Sequence, residues 1–276
     1  MLGKMIKHEF KATGRLILPV LLIVIVMTPV LALLNKLASH IGRKSLAGGL
    51  LSGISMVSFV AMMIGACVAV FIYIMVRFYK TIATSEAYMT FCLPVNSHHV
   101  MLSKLIVATV WQVLTVAIAI GSLYIMFIIN GIIEPGTVFS HMERMLTSSG
   151  IEYGSLFGFL FKIGAMIFIS MITSILSWYL AVCLGQIFQE KRVLMSIVMY
   201  VGIYMVMQII YMCILLPFIL SHSSEFTMGE AKAINMQMNA EFPSGLLLAV
   251  GIINIVLAVV FYVVGTQILK KKTNVR

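Results

Sequence analysis

The sequence predicts an all-α fold: a polytopic membrane protein with six transmembrane helices, an N-terminal interfacial amphipathic helix and a short helix in one polar connection. Three observations predict it. Hydrophobic residues make up 61% of the 276 positions and charged residues only 10%, whereas a soluble domain carries about 25% charged residues. Water could not solvate such a surface, so lipid must cover much of it. The apolar residues also form long uncharged runs, each able to cross a bilayer at about 20 residues per helix. Finally, Lys and Arg gather between the runs and largely stay out of them.

The formal net charge is +10, with nine Glu and no Asp. In a soluble chain that balance would suggest nucleic acid. Beside long apolar runs it fits loop ends meeting anionic lipid headgroups, so the expected partner is the bilayer, with no nucleic acid. Cys67, Cys92, Cys183 and Cys213 are scattered without metal-ligand spacing and read as small residues, not as a disulfide framework.

Residues 1–15, MLGKMIKHEFKATGR, come first. Leu2, Met5, Ile6 and Phe10 share one helical face, with Lys4, Lys7 and Lys11 on the other. This pattern predicts a basic helix lying in the interface, either as a topogenic anchor or as a mechanical element. No small-residue cleavage site follows a short apolar core, so it does not read as a cleaved signal. Residues 16–276 are expected to form a single transmembrane domain. Its spans are about 16–35, 52–76, 105–130, 156–185, 194–219 and 245–269. The first contains Pro19 and Pro29. Two longer connections, about 131–155 and 220–244, carry Glu134, Glu143 and Glu152, and Glu225, Glu230 and Glu241.

Orientation follows from the basic residues. With the N-terminus inside, thirteen Lys and Arg fall on the cytoplasmic side: Lys4, Lys7, Lys11, Arg15, Arg77, Lys80, Lys104, Lys191, Arg192, Lys270, Lys271, Lys272 and Arg276. Five fall outside: Lys36, Arg43, Lys44, Arg144 and Lys232. The bias predicts both termini in the cytoplasm, although Lys36, Arg43 and Lys44 run against it.

That orientation places Arg77–Lys104, RFYKTIATSEAYMTFCLPVNSHHVMLSK, on the cytoplasmic side between the second and third spans. Ser85 can cap a helix and Glu86 suits its positive first turn. Pro94 ends it, because the residue before a proline avoids helical geometry. A short helix along the membrane surface, presented to water, is a docking element.

Catalytic constellations find little support. There is no Gly-rich phosphate loop with its Lys. A Ser-His-Asp triad is excluded because the chain lacks Asp. His98 and His99 are adjacent and point different ways on a helix or strand, so they read as a solvated pair and not a metal site. Lys162 lies one to two turns from the outer end of its span and can snorkel to the headgroups, with a cargo contact as the alternative. No carboxylate sits mid-span, which argues against a proton- or sodium-coupled carrier. In the second span Ser58, Ala61, Gly65 and Ala69 form a small-residue face that lets another helix approach closely. In the fifth, Tyr200, Tyr204, Gln208 and Tyr211 share a face. They either line a wet or ligand-lined translocation path or hydrogen-bond to neighbouring helices.

The N-terminal KHEFKATGR, followed by FYKTIATSEAYMTFCLPVNSHHVMLSK between spans two and three, resembles ABC-2 type permeases, the membrane subunits of bacterial ATP-binding-cassette exporters. The matching residues are Tyr79, Lys80, Glu86, Tyr88, Leu93, Pro94, Val95, Ser103 and Lys104. The resemblance implies that the segment is a coupling helix seated in a separate ATPase, with Glu86, Tyr88, Leu93 and Pro94 forming the contact. It also implies a dimeric permease in the bacterial cytoplasmic membrane, built with a second copy or a homologous permease. The translocation path would run between the second and fifth helices. ATP and Mg would bind in the partner chain, with no cofactor, metal or catalytic residue in this one. The cargo class implied is amphipathic or hydrophobic, such as a peptide. A non-transporting scaffold or a sensor's membrane domain is the other functional class.

Overall fold

The computed structural model describes residues 2–41, 45–83, 97–131, 153–188, 192–222 and 244–274. Among them every regular element is a helix: α1 Leu2–Ile41, α2 Leu46–Ala83, α3 Ser97–Ile129, α4 Tyr153–Gly185, α5 Arg192–His222 and α6 Ser244–Asn274. All six are long and apolar enough to cross a membrane. Each contains one span read from the sequence.

The helices outrun those spans. At about 1.5 Å per residue, the 40 residues of α1 reach roughly 60 Å, twice the ~30 Å hydrocarbon core. The run of apolar residues marks where the hydrocarbon ends, whereas the helix continues into the headgroups and beyond. Two expectations change as a result. The segment of residues 1–15 and the first span are one continuous helix, so the amphipathic segment prolongs α1 and does not form a separate element. Likewise the polar connection 77–104 is helical at both ends: Arg77–Ala83 completes α2 and Ser97–Lys104 begins α3. Pro19 and Pro29 both lie inside α1. Each removes one backbone hydrogen bond, a loss that membrane helices tolerate.

The chain divides into two compact units, Met1–His141 and Met142–Arg276. In the first, α1 packs against both α2 and α3, which touch each other less. Its inward face is Ile17, Leu21, Val24, Thr28 and Ala32, at the three- and four-residue spacing of one helical stripe. Towards the C-terminal end of α1, Ala32 meets Phe59 of α2 and Met126 of α3. At its far end α3 stops at Gly131, whose φ of 69° is the left-handed geometry that glycine adopts without strain. Large apolar side chains on the outer faces are well exposed, Val57 by 69% and Leu22 by 60%. Hydrocarbon solvates them as well as protein would, so these helices associate by close packing and hydrogen bonding.

In the second unit α4 occupies the central position, against α5 and α6. Its C-terminal part is the most deeply packed, with Ile175, Leu176, Tyr179, Ala181 and Cys183 all buried. The end of α4 comes close to the first residues of α5. A Cβ on Gly185 would sit 2.6 Å from both Cα and N of Ser196, so only glycine fits. Buried hydroxyls in both units bond to their own helix: Thr28 donates to the Val24 carbonyl at 2.7 Å in the first, and Ser177 to that of Ser174 at 2.7 Å in the second. A low-dielectric interior leaves no other solvent for them.

Candidate functional site

The first fifteen residues of α1 divide into two faces. Lys4, Lys7, Lys11 and Arg15 are all exposed and, at about 100° per residue, fall within an arc of roughly 80°. Glu9 and Thr13, four residues apart, lie on the inward side. Glu9 is the only acidic side chain among the described residues. Its Oε2 accepts from Arg77 Nε of α2 at 3.1 Å, and its Oε1 accepts from Lys104 Nζ of α3 at 2.5 Å. Lys104 is buried, with 7% of its surface exposed. An ammonium so withdrawn from water requires an anionic partner, which Glu9 supplies.

Burial alone would push the Glu9 carboxyl up. Lys104, and then Arg77, outweigh that effect and hold it below its ordinary value. The carboxylate is therefore ionised at neutral pH. Among the described residues, one anion serves both cations. Without Glu9 the Arg77 guanidinium and Lys104 ammonium would both lose this carboxylate.

One turn further along α1, Thr13 Oγ1 donates to the Glu9 carbonyl at 2.8 Å and accepts from Trp111 Nε1 at 2.8 Å. Trp111 lies on α3, two turns beyond Lys104, and is 1% exposed. Phe10 stacks on its ring at a centroid distance of 4.7 Å and an interplanar angle of 13°. Gly14 leaves room for the same ring: a Cβ there would come within 3.3 Å of it. Ionic, hydrogen-bonding, aromatic and steric contacts thus fix one face of α1 against the ends of α2 and α3 that lead into residues 84–96.

A second polar cluster lies in the other unit. Asn254 of α6 is 3% exposed. Its Oδ1 accepts from the Tyr211 hydroxyl of α5 at 2.8 Å, its Nδ2 donates to the Val250 carbonyl at 2.9 Å, and its own carbonyl accepts from Thr173 of α4 at 3.0 Å. The cluster joins all three helices of the unit. Trp178 of α4 stacks on Tyr200 of α5 at 3.6 Å and 18°. Tyr204 is exposed, 6.3 Å from the Tyr200 ring.

The residues singled out in the sequence are placed as follows. Glu86, Tyr88, Leu93 and Pro94 lie outside the described residues. Of the polar set on α5, Tyr200 and Tyr211 are committed to neighbouring helices, while Tyr204 and Gln208 face outward. Ser58, Ala61, Gly65 and Ala69 are all exposed, and a Cβ on Gly65 would meet nothing within 4 Å. The inward face of α2 is instead Ser55, Phe59, Ala66 and Val70. The small-residue face is thus left open. Lys162 is exposed. His98 and His99 are exposed, and no cluster of three or more metal-ligating side chains occurs among the described residues. No disulfide joins Cys67, Cys183 and Cys213.

Sequence reading missed Glu9, Thr13 and Trp111. A signal was present: a lone carboxylate and a Thr on the apolar face of an otherwise basic helix. In comparisons with protein families, curated proteins and solved structures, nothing matches this chain.

Proposed function

We propose that this chain is the membrane permease subunit of an ABC-type exporter, moving an amphipathic or hydrophobic cargo such as a peptide, with ATP hydrolysed by a separate subunit. The observation that carries the reading is the pattern Tyr79-Lys80, Glu86, Tyr88, Leu93-Pro94-Val95 and Ser103-Lys104 in the connection between two membrane helices. Its flanking helix ends, through Arg77 and Lys104, are tied to α1 by Glu9. A permease without its own nucleotide site needs an external motor, and the motor's displacement must reach the spans through a connection that does not absorb it. In this reading the 84–96 connection is cytoplasmic, as are both termini. The open face of α2 around Gly65 is where a second permease copy approaches.

The test is the double variant Tyr88→Ala with Leu93→Ala. Aromatic and large apolar anchors dominate small interfaces, so removing two should detach the motor while leaving the spans inserted. The unaltered chain should co-purify with an ABC ATPase and raise its hydrolysis. In the variant both should fall, with normal membrane insertion. Normal co-purification, hydrolysis and export in the variant would refute the assignment of this segment and with it the exporter reading.

A further inference from the structure

A loop between two spans can pass a displacement to them in two ways. It can act on α2 and α3 separately, each bending on its own, or the two helix ends can be tied so that they move as a body. The positions of the charges favour the second. Arg77 lies six residues before the end of α2 and Lys104 seven residues after the start of α3, nearly level with each other across the connection. Both converge on one carboxylate, each on its own oxygen. The direct packing between α2 and α3 is slight, whereas each packs along α1. The tie between the two helix ends therefore runs through α1. The neighbouring Thr13–Trp111 and Phe10–Trp111 contacts keep the α1 backbone in register with α3, so Glu9 is not at the tip of a free helix.

We propose that Glu9 is a positioning residue that holds the N-terminal segment of α1 and the ends of α2 and α3 as one moving body. The role of that body in passing on motor displacement rests on the exporter reading, but the tie itself does not. Each carboxylate oxygen is committed to a different helix, so the two arms are separable. Removing Arg77 frees α2 and leaves α3 held. Removing Lys104 does the reverse. Neutralising Glu9 frees both.

The experiment is electron-spin distance measurement on the full chain in nanodiscs, with the four native cysteines replaced by serine. Spin labels are placed at the exposed positions Lys11 and Val76 in one sample, and Lys11 and His99 in another. Arg77→Gln should broaden the 11–76 distribution and move it outward by roughly 1–3 Å, because an ion pair is lost once its N···O distance passes about 4 Å. The 11–99 distribution should stay unchanged. Lys104→Gln should give the converse. Glu9→Gln should broaden both. A merely space-filling Glu9 would not show this selectivity. Unchanged distributions in all variants, or both distances shifting together in Arg77→Gln, would overturn the proposal. The readout needs no ATPase. A chain that binds none would refute the exporter reading and leave this result standing.

Discussion

Replacing Thr13 with Val tests the docking of α1 without changing its shape. Val is nearly isosteric with Thr, so no cavity opens, but the hydroxyl disappears. Its contacts to the Glu9 and Phe10 carbonyls and from Trp111 go with it, and they are not equivalent. The Glu9 carbonyl loses one donor but stays in the helical ladder, where it also accepts from the backbone four residues on. Trp111 Nε1, in a side chain 1% exposed, loses its acceptor and is left buried and unpaired. A buried donor without a partner costs about 1–3 kcal/mol, while interhelical hydrogen bonds measured in membranes average about 0.6 and reach about 1.7. An expected loss of about 1–2 kcal/mol follows, a factor of roughly 5–30 in the folded-to-unfolded ratio. Reversible unfolding in mixed micelles, followed by far-ultraviolet circular dichroism, measures it. Trp111→Phe removes the N–H and some packing. In the double variant Thr13→Val has no orphaned donor left to create, so its cost should fall close to zero. A Thr13→Val penalty of the same size in both backgrounds would refute the reasoning, because the two side chains would then be energetically independent.

Gly185→Val should destabilise the second unit by about 1–3 kcal/mol, since the added Cβ meets Ser196 backbone atoms at 2.6 Å and one helix must shift; a lowered thermal midpoint in detergent checks this. Tyr211→Phe removes the hydroxyl donor to Asn254 Oδ1 and should cost about 0.6–1.7 kcal/mol, read in the same assay; a neutral result would show that the cluster does not bind α5 to α6.

The six spans were legible because hydrocarbon imposes a length and forbids charge, and both constraints are local in sequence. Where each helix ends was not, because a helix leaving the hydrocarbon meets no comparable constraint: α2 runs to Ala83 and α3 begins at Ser97. Glu9 was missed for another reason. Its partners are 68 and 95 residues away, and no periodicity within α1 encodes them. The small residues of α2 illustrate a third limit. Periodicity identified a face around Gly65, but cannot say which of two faces turns inward, and here Phe59 and Val70 take that place. On α5 the shared polar face was legible, but only the folded unit shows Tyr211 engaged with Asn254 and Tyr204 turned away.

Unit 1 has a mechanical property that follows from where α1 is fastened. It is held at Glu9 and again at Ala32, 23 residues on, about 35 Å along the axis. A piston stroke of α1 past its neighbours would have to break the ion pairs and the Ala32–Phe59–Met126 packing together. Pro19 and Pro29 both lie between the two fastenings, each deleting one rung of the backbone ladder. The prolines lower the resistance of α1 to bending, while sliding would also have to break the packing of Ile17, Leu21 and Val24 between the two points.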